Sequence, residues 1–123
     1  MGEAMKGIAA YKENAIATQP RGRLIVLLYE GAIKFLKQAQ RELAAGNMAG
    51  KGEYINKAVA VLNELDSSLN VDDGGEIAQN LRRIYQFVIR HLAEANVQRN
   101  PQYIQNVIDC LESLNEGWKT ITT

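Results

Sequence analysis

From Leu24 to Leu43 apolar residues return at steps of three and four: Leu24, Leu27, Leu28, Ala32, Phe35, Leu36, Ala39 and Leu43. That spacing is the mark of an amphipathic helix and assigns this set to its buried stripe. Ile25, Tyr29 and Ile33 recur every four residues on an adjoining flank. The helix therefore carries more apolar surface than one face of a small bundle uses, and the surplus predicts a second contact with another helix, a covering segment or a partner.

Three further segments have the same periodicity. The second buries Ile55, Ala58, Val59, Leu62, Leu65 and Leu69, with Val61 off the stripe; the third Ile77, Leu81, Ile84, Tyr85, Val88, Leu92 and Ala95; the fourth Ile104, Val107, Ile108, Leu111, Leu114 and Trp118. Gln19-Pro20 predicts a helix start near Pro20, capped by Thr18, because proline fits a first turn and pushes the preceding residue out of helical geometry. Asn100-Pro101 repeats the device. Between them, Gly46 to Gly52 and Val71 to Gly75 read as loops, with Asp72 or Asp73 capping the third helix. No segment alternates as a strand does. Short connections between amphipathic helices make neighbours antiparallel, so the fold expected over 20–123 is all-α, an antiparallel up-down four-helix bundle. Residues 1–19 stand apart as an additional N-terminal helical arm with a weak apolar face of Ile8, Tyr11, Ala15 and Ile16, either docked as a cap or detachable from a binding groove.

Composition narrows the function classes. The 123 residues carry 14 basic and 14 acidic side chains, so no overall field draws the protein to nucleic acid or an anionic membrane. The charge is uneven, at +4 over 1–41 (seven basic, three acidic), −5 over 42–80 (two and seven) and +1 over the rest (five and four), which reads as solvated helix faces. Cys110 is the only cysteine; it allows no intrachain disulfide and suits a reducing cytoplasm. No run approaches the roughly 20 apolar residues of a membrane span, and Met1 to Ala10 lacks the apolar core of a signal peptide.

Catalytic chemistry finds little to work with. His91 is the only histidine, which excludes a two-histidine metal site, and one cysteine builds no zinc cluster. Cys110 and His91 lie on separate helices with no third group to orient them. Gly46, Gly50, Lys51 and Gly52 resemble a phosphate loop only superficially: the spacing is one residue short, Gly52 replaces the hydroxyl residue, and a helix precedes it where a strand is needed. Asp72, Asp73 and Glu76 lack the alternation of a calcium loop. Arg82 and Arg83 have no aromatic platform for nucleic acid. The expectation is a protein without enzymatic activity, cofactor or metal.

Tyr11, Thr18-Gln19-Pro20, the run Leu28-Tyr29-Glu30-Gly31-Ala32-Ile33, Lys57-Ala58, Leu62-Asn63-Glu64-Leu65, Gly74-Gly75-Glu76-Ile77-Ala78, Ile84-Tyr85, Leu92-Ala93-Glu94-Ala95-Asn96 and the closing Trp118 follow one another in a characteristic order. In that order the chain resembles the FliS family of flagellin-specific export chaperones, from about Tyr11 to Trp118. Gln19-Pro20 stands where many members have Ser-Pro, and Gly22 in the first turn is unusual. The resemblance implies a helical bundle that binds the disordered C-terminal segment of flagellin in the cytoplasm and keeps it from polymerising before export. It implies that the client wraps the bundle as short helices in apolar grooves, and that an export-gate component or an antisigma factor is a further partner of some members. No nucleotide or metal is needed.

A disordered client loses its ordering entropy on binding and so requires long apolar contact, which is a use for the surplus flank. The groove expected from the first two long helices is lined by Ile25, Leu28, Tyr29, Ile33, Ile55, Val59, Leu62 and Leu65, with Ile8 and Tyr11 of the arm as cover or direct contacts. Two other classes compete. A homo-oligomerising helical adaptor would use the same spare face. A histidine phosphotransfer domain would need a lysine and glycine after His91, where Leu92, Ala93, Glu94 and Ala95 stand.

Overall fold

The computed structural model describes residues 15–69 and 71–122. Four helices follow in order, α1 (Ala15–Ala44), α2 (Met48–Ser67), α3 (Val71–Val97) and α4 (Pro101–Thr122), with no strand among the described residues. Each helix packs on its neighbours in sequence, and α1 closes the ring against α4. Side-chain pairs fix the directions. Lys51 at the start of α2 reaches carbonyls at the end of α3, while Asp66 near the end of α2 meets Arg82 near the start of α3. Glu30 meets Lys119 and Gln40 meets Gln105, so α4 runs against α1. The bundle is up-down and antiparallel.

The helix ends follow local chemistry. Gly46, at φ 79°, closes α1, and its N–H donates to Leu43 O at 3.1 Å. Asn47 then caps α2, its Oδ1 accepting from the Gly50 N–H at 3.0 Å. The loop expected over Gly46 to Gly52 therefore shrinks: Gly50, Lys51 and Gly52 are helical, held by the Asn47 cap and by the anchoring of Lys51 on α3. Asn100 caps α4 as the sequence suggests, accepting from the Gln102 N–H at 2.9 Å.

Two helix starts differ from expectation. Helix α1 begins at Ala15, ahead of Pro20; proline's fixed φ is helical, and inside a helix the residue forfeits one backbone hydrogen bond. Residues 15–19, expected in the arm, belong to α1. In α3 the backbone breaks at Gly75, with φ 63° and ψ −145°, a conformation in which only glycine is at ease. The uninterrupted helix starts beyond it, so Gly75 stands where Asp72 or Asp73 was expected to cap.

The core is filled by Ile25, Tyr29, Ala32, Ile33, Leu36 and Ala39 of α1 against Ile55, Ala58, Leu62 and Leu65 of α2, Leu81, Tyr85, Val88 and Leu92 of α3, and Ile104, Ile108, Leu111 and Trp118 of α4. This rotates the expected α1 stripe. Leu24 and Leu27, assigned to the interior, are 53% and 50% exposed, and the flank of Ile25, Tyr29 and Ile33 faces inward. Both sets have helical spacing; the deciding contact is Tyr29, whose hydroxyl lies 2.5 Å from that of Tyr85 across the bundle. Ile77, placed in the α3 stripe, is also exposed, because the neighbouring Ala78 takes the inward position at that level of the helix.

Candidate binding surface

The four seams of the ring are of two kinds. Between α1 and α4 lie the ion pairs Lys37–Glu112 at 3.3 Å and Lys119–Glu30 at 3.6 Å, with Gln40 donating to Gln105 at 2.8 Å. Between α2 and α3 lie Arg82–Asp66 at 3.4 Å and Asn96 donating to Asn56 at 3.4 Å. The Lys51 ammonium is buried there and donates to the carbonyls of Ala95, Asn96 and Gln98. These seams are bridged by polar groups.

The other two seams, on opposite sides of the bundle, are apolar. On α1, Leu24, Leu28 and Phe35 share a face, because they are separated by four and seven residues. Phe35 lies 6.4 Å from Tyr54 of α2, which directs that face at the α1–α2 seam, and Val61 continues it a further seven residues along α2. The Lys57 ammonium sits 5.8 Å from the Phe35 ring centre and 5.2 Å from that of Tyr54, a cation–π lid at one end of the strip.

On α3, Ile77, Ile84 and His91 recur every seven residues, and His91 touches α4: its ring centre is 4.9 Å from that of Tyr103, and Asn106 Nδ2 is 3.4 Å from its Nε2. Phe87 stacks on His91 at 5.7 Å and is 57% exposed. Tyr103, Cys110, Leu114 and Ile121 answer from α4. Ile84, Cys110 and Leu114 are half-buried, while Ile77, Phe87 and Ile121 are exposed. A run of this length along a seam is what an interaction surface looks like, whereas single exposed apolar residues are ordinary. Val97 is exposed but stands apart at the end of α3.

The residues proposed from sequence divide accordingly. Ile25, Tyr29, Ile33, Ile55, Leu62 and Leu65 are buried in the core. Leu28 is half-buried on the α1–α2 seam; Val59 is half-buried on the side of α2 that carries Asp66 and faces α3. Ile8 and Tyr11 lie outside the described residues. The whole α3–α4 strip was missed, although Phe87 gave a signal: an aromatic residue that fits no core stripe on its helix.

Tyr29 is pushed up to about 12, mainly by burial, and Tyr85 higher still by burial and by the neighbouring Tyr29. Burial also raises the Cys110 thiol. Among the described residues no cluster of His, Cys, Asp and Glu could hold a metal ion. A cavity of about 660 Å³ opens on the α1–α4 seam, but its walls are charged (Glu30, Lys34, Lys37, Arg41, Glu112, Glu116, Lys119) and Ile33 is its one large apolar side chain. No described helix is long and apolar enough to cross a membrane.

Residues 4–123 match the family model for flagellar protein FliS. This chain belongs to the FliS family. It is 36% identical over 121 residues to the flagellar secretion chaperone FliS of Salmonella typhimurium, covering 94% of this chain and 90% of that protein. It is 32% identical over 123 residues to the flagellar secretion chaperone FliSB of Pseudomonas aeruginosa, covering 97% and 98%. Identity to the FliS of Bacillus subtilis is 27% over 110 residues, covering 89% and 81%. FliS proteins are a chaperone family, which is not an enzyme class.

Proposed function

We propose that this chain is a flagellar export chaperone that binds the C-terminal segment of flagellin along the two apolar seams, holding it unpolymerised until export. Family membership supports the chaperone role, and the relatives' name, flagellar secretion chaperone, supports a flagellar client. The observation that carries the site is the α3–α4 strip of Ile77, Ile84, Phe87, Leu114 and Ile121, apolar and solvent-facing on a bundle whose core is already complete. A disordered segment that folds on binding draws its free energy from apolar burial along its length. A seam between two antiparallel helices accepts an amphipathic helix lying along it, its apolar residues entering the groove.

Two strips on opposite sides need a client long enough to pass around the bundle. The ion-paired seams between them make poor apolar docking surfaces, since an apolar side chain seated there would strip water from charged groups without replacing their contacts. The mechanism is passive: the bound segment is covered and cannot assemble, and it leaves when a competing interaction withdraws it.

Titration calorimetry at several temperatures, with a peptide spanning the C-terminal segment of flagellin from the same organism, tests this reading. Saturable one-to-one binding with a large negative heat-capacity change is expected. A folded chain that binds no such peptide contradicts it.

A further inference from the structure

Asn115 stands on α4 in the wall of the cavity that opens on the α1–α4 seam. It lies three residues after Glu112 and four before Lys119 and so shares their face of the helix. The ion pairs Lys37–Glu112 and Lys119–Glu30 therefore flank it on either side along the seam. Its side chain is 3% exposed, and its Oδ1 is sealed from solvent with no hydrogen-bond partner among the described residues. An interior carbonyl oxygen left unpaired destabilises a fold, and native structures keep few of them. Leucine has nearly the same shape and carries no such penalty.

The chemistry of the cavity selects the group that answers it. Its wall holds four basic and three acidic side chains, so the near balance favours neither an anion nor a cation. A carboxamide presents an acceptor and two donors side by side, and rotation about χ2 turns either edge toward the cavity. The complement of such a group is another amide, and the amide every polypeptide carries is its backbone.

The two apolar strips lie on opposite sides of the bundle, so a client bound on both must cross either the α1–α4 or the α2–α3 seam. On the α2–α3 seam the polar groups already answer one another: Lys51 donates to three carbonyls, Arg82 meets Asp66, and Asn96 donates to Asn56. The α1–α4 seam instead offers a cavity and an unanswered acceptor. Passing over two helices takes about 20 Å, or about six residues of extended chain. A segment turning round the bundle in this way is not helical, and its backbone N–H groups have no partners of their own.

We infer that the client segment joining the two seam-bound helices crosses the bundle between α1 and α4 in extended form, and that one of its backbone N–H groups donates to Asn115 Oδ1. The inference rests on the proposed chaperone function and adds to it the path of the client and the polar contact that marks its crossing. Apolar grooves tolerate sliding, whereas one buried acceptor pairs with one position of the chain. Asn115 thus sets the register in which the two flanking helices enter their seams.

Calorimetry with the flagellin C-terminal peptide, together with thermal unfolding of the free chain, tests this. Asn115→Leu is expected to raise the thermal midpoint by about 4 °C and to weaken the peptide roughly tenfold. Asn115→Ala removes the amide without adding bulk and reads the same loss of affinity where leucine does not fit. Peptides in which each backbone amide is replaced in turn by an ester, which has no N–H, are expected to show one position that loses about tenfold with the wild type and nothing with Asn115→Ala. Variants that bind the unmodified peptide as the wild type does overturn the assignment, as does an ester series in which no position depends on Asn115. A wild-type chain that binds no peptide fails the chaperone reading itself and takes this inference with it; binding by the wild type with no loss in the variants fails this inference alone.

Discussion

Three buried polar side chains hold the free bundle together, and each makes a prediction. The Tyr29 and Tyr85 hydroxyls meet at 2.5 Å, both side chains fully buried. Removing the Tyr29 hydroxyl orphans that of Tyr85, so Tyr29→Phe is expected to cost about 1–3 kcal/mol; Tyr85→Phe should cost less, because Trp118 also hydrogen-bonds the Tyr29 hydroxyl. The double variant should cost less than the sum of the two, since the hydrogen bond they share is lost only once; urea unfolding reads all three. The same pair sets an alkaline limit. Both folded pKa values lie above the ordinary 10.0, Tyr29 at about 12 and Tyr85 higher, so the unfolded chain releases these protons first. Their contribution is whole below pH 10 and falls as pH rises beyond it, by about 1.4 kcal/mol per unit for each tyrosine. Base titration of unfolding should show that slope in the wild type and a shallower one in Tyr85→Phe. Lys51 donates to three carbonyls at the end of α3, a helix terminus whose carbonyls would otherwise be unpaired. Lys51→Met should lose about 1–3 kcal/mol through those carbonyls, with client affinity unchanged. Phe87→Glu should do the reverse. The ring is 57% exposed, so the fold changes by about 0.5 kcal/mol or less, while a charge within the α3–α4 strip should lower peptide affinity at least tenfold, measured by calorimetry.

At the scale of elements, the helices were legible because their apolar residues repeat every three or four positions and their ends carry specific chemistry. Asn100-Pro101 began α4 as read, and the second and fourth stripes came out as the buried faces, with Val59 and Leu114 at their margins. The rotation of α1 was not legible. Leu24 and Leu27 are as apolar as Ile25 and share its periodicity, so spacing cannot tell which set turns inward. That choice is made by distant partners, Tyr85 and Trp118, which pack on Tyr29 at ring-centre distances of 6.3 and 6.2 Å. The same ambiguity sent the binding surface to core residues: Ile55, Leu62 and Leu65 have the stripe of a groove and the burial of an interior. Gly46 to Gly52 reads as a loop because its three glycines and Asn47 all favour turns; Asn47 instead caps a helix that runs through Gly50 and Gly52. Gly75 belongs to this scale too. Gly75→Ala forces a side chain into a φ of 63° and should lower the free energy of unfolding by about 1–3 kcal/mol, seen as a lower thermal midpoint with helix content nearly unchanged.

For the whole molecule, the alternation of seams matters most. Polar bridges tie α1 to α4 and α2 to α3, and apolar strips run between α1 and α2 and between α3 and α4. This arrangement gives a bundle of neutral net charge two apolar strips on opposite sides, which are the proposed docking surfaces, and sets ion pairs along the seams between them. Nothing in a one-dimensional pattern shows the alternation, because it depends on which helices become neighbours. Hydrogen exchange of the chain, free and saturated with the flagellin C-terminal peptide, tests it most directly. The account predicts added protection on both apolar seams, around 24–35 with 54–61 and around 77–91 with 110–121, and little change at Gln40, Gln105, Asn56 and Asn96. Protection confined to the ion-paired seams, or spread evenly over the four helices, would contradict it.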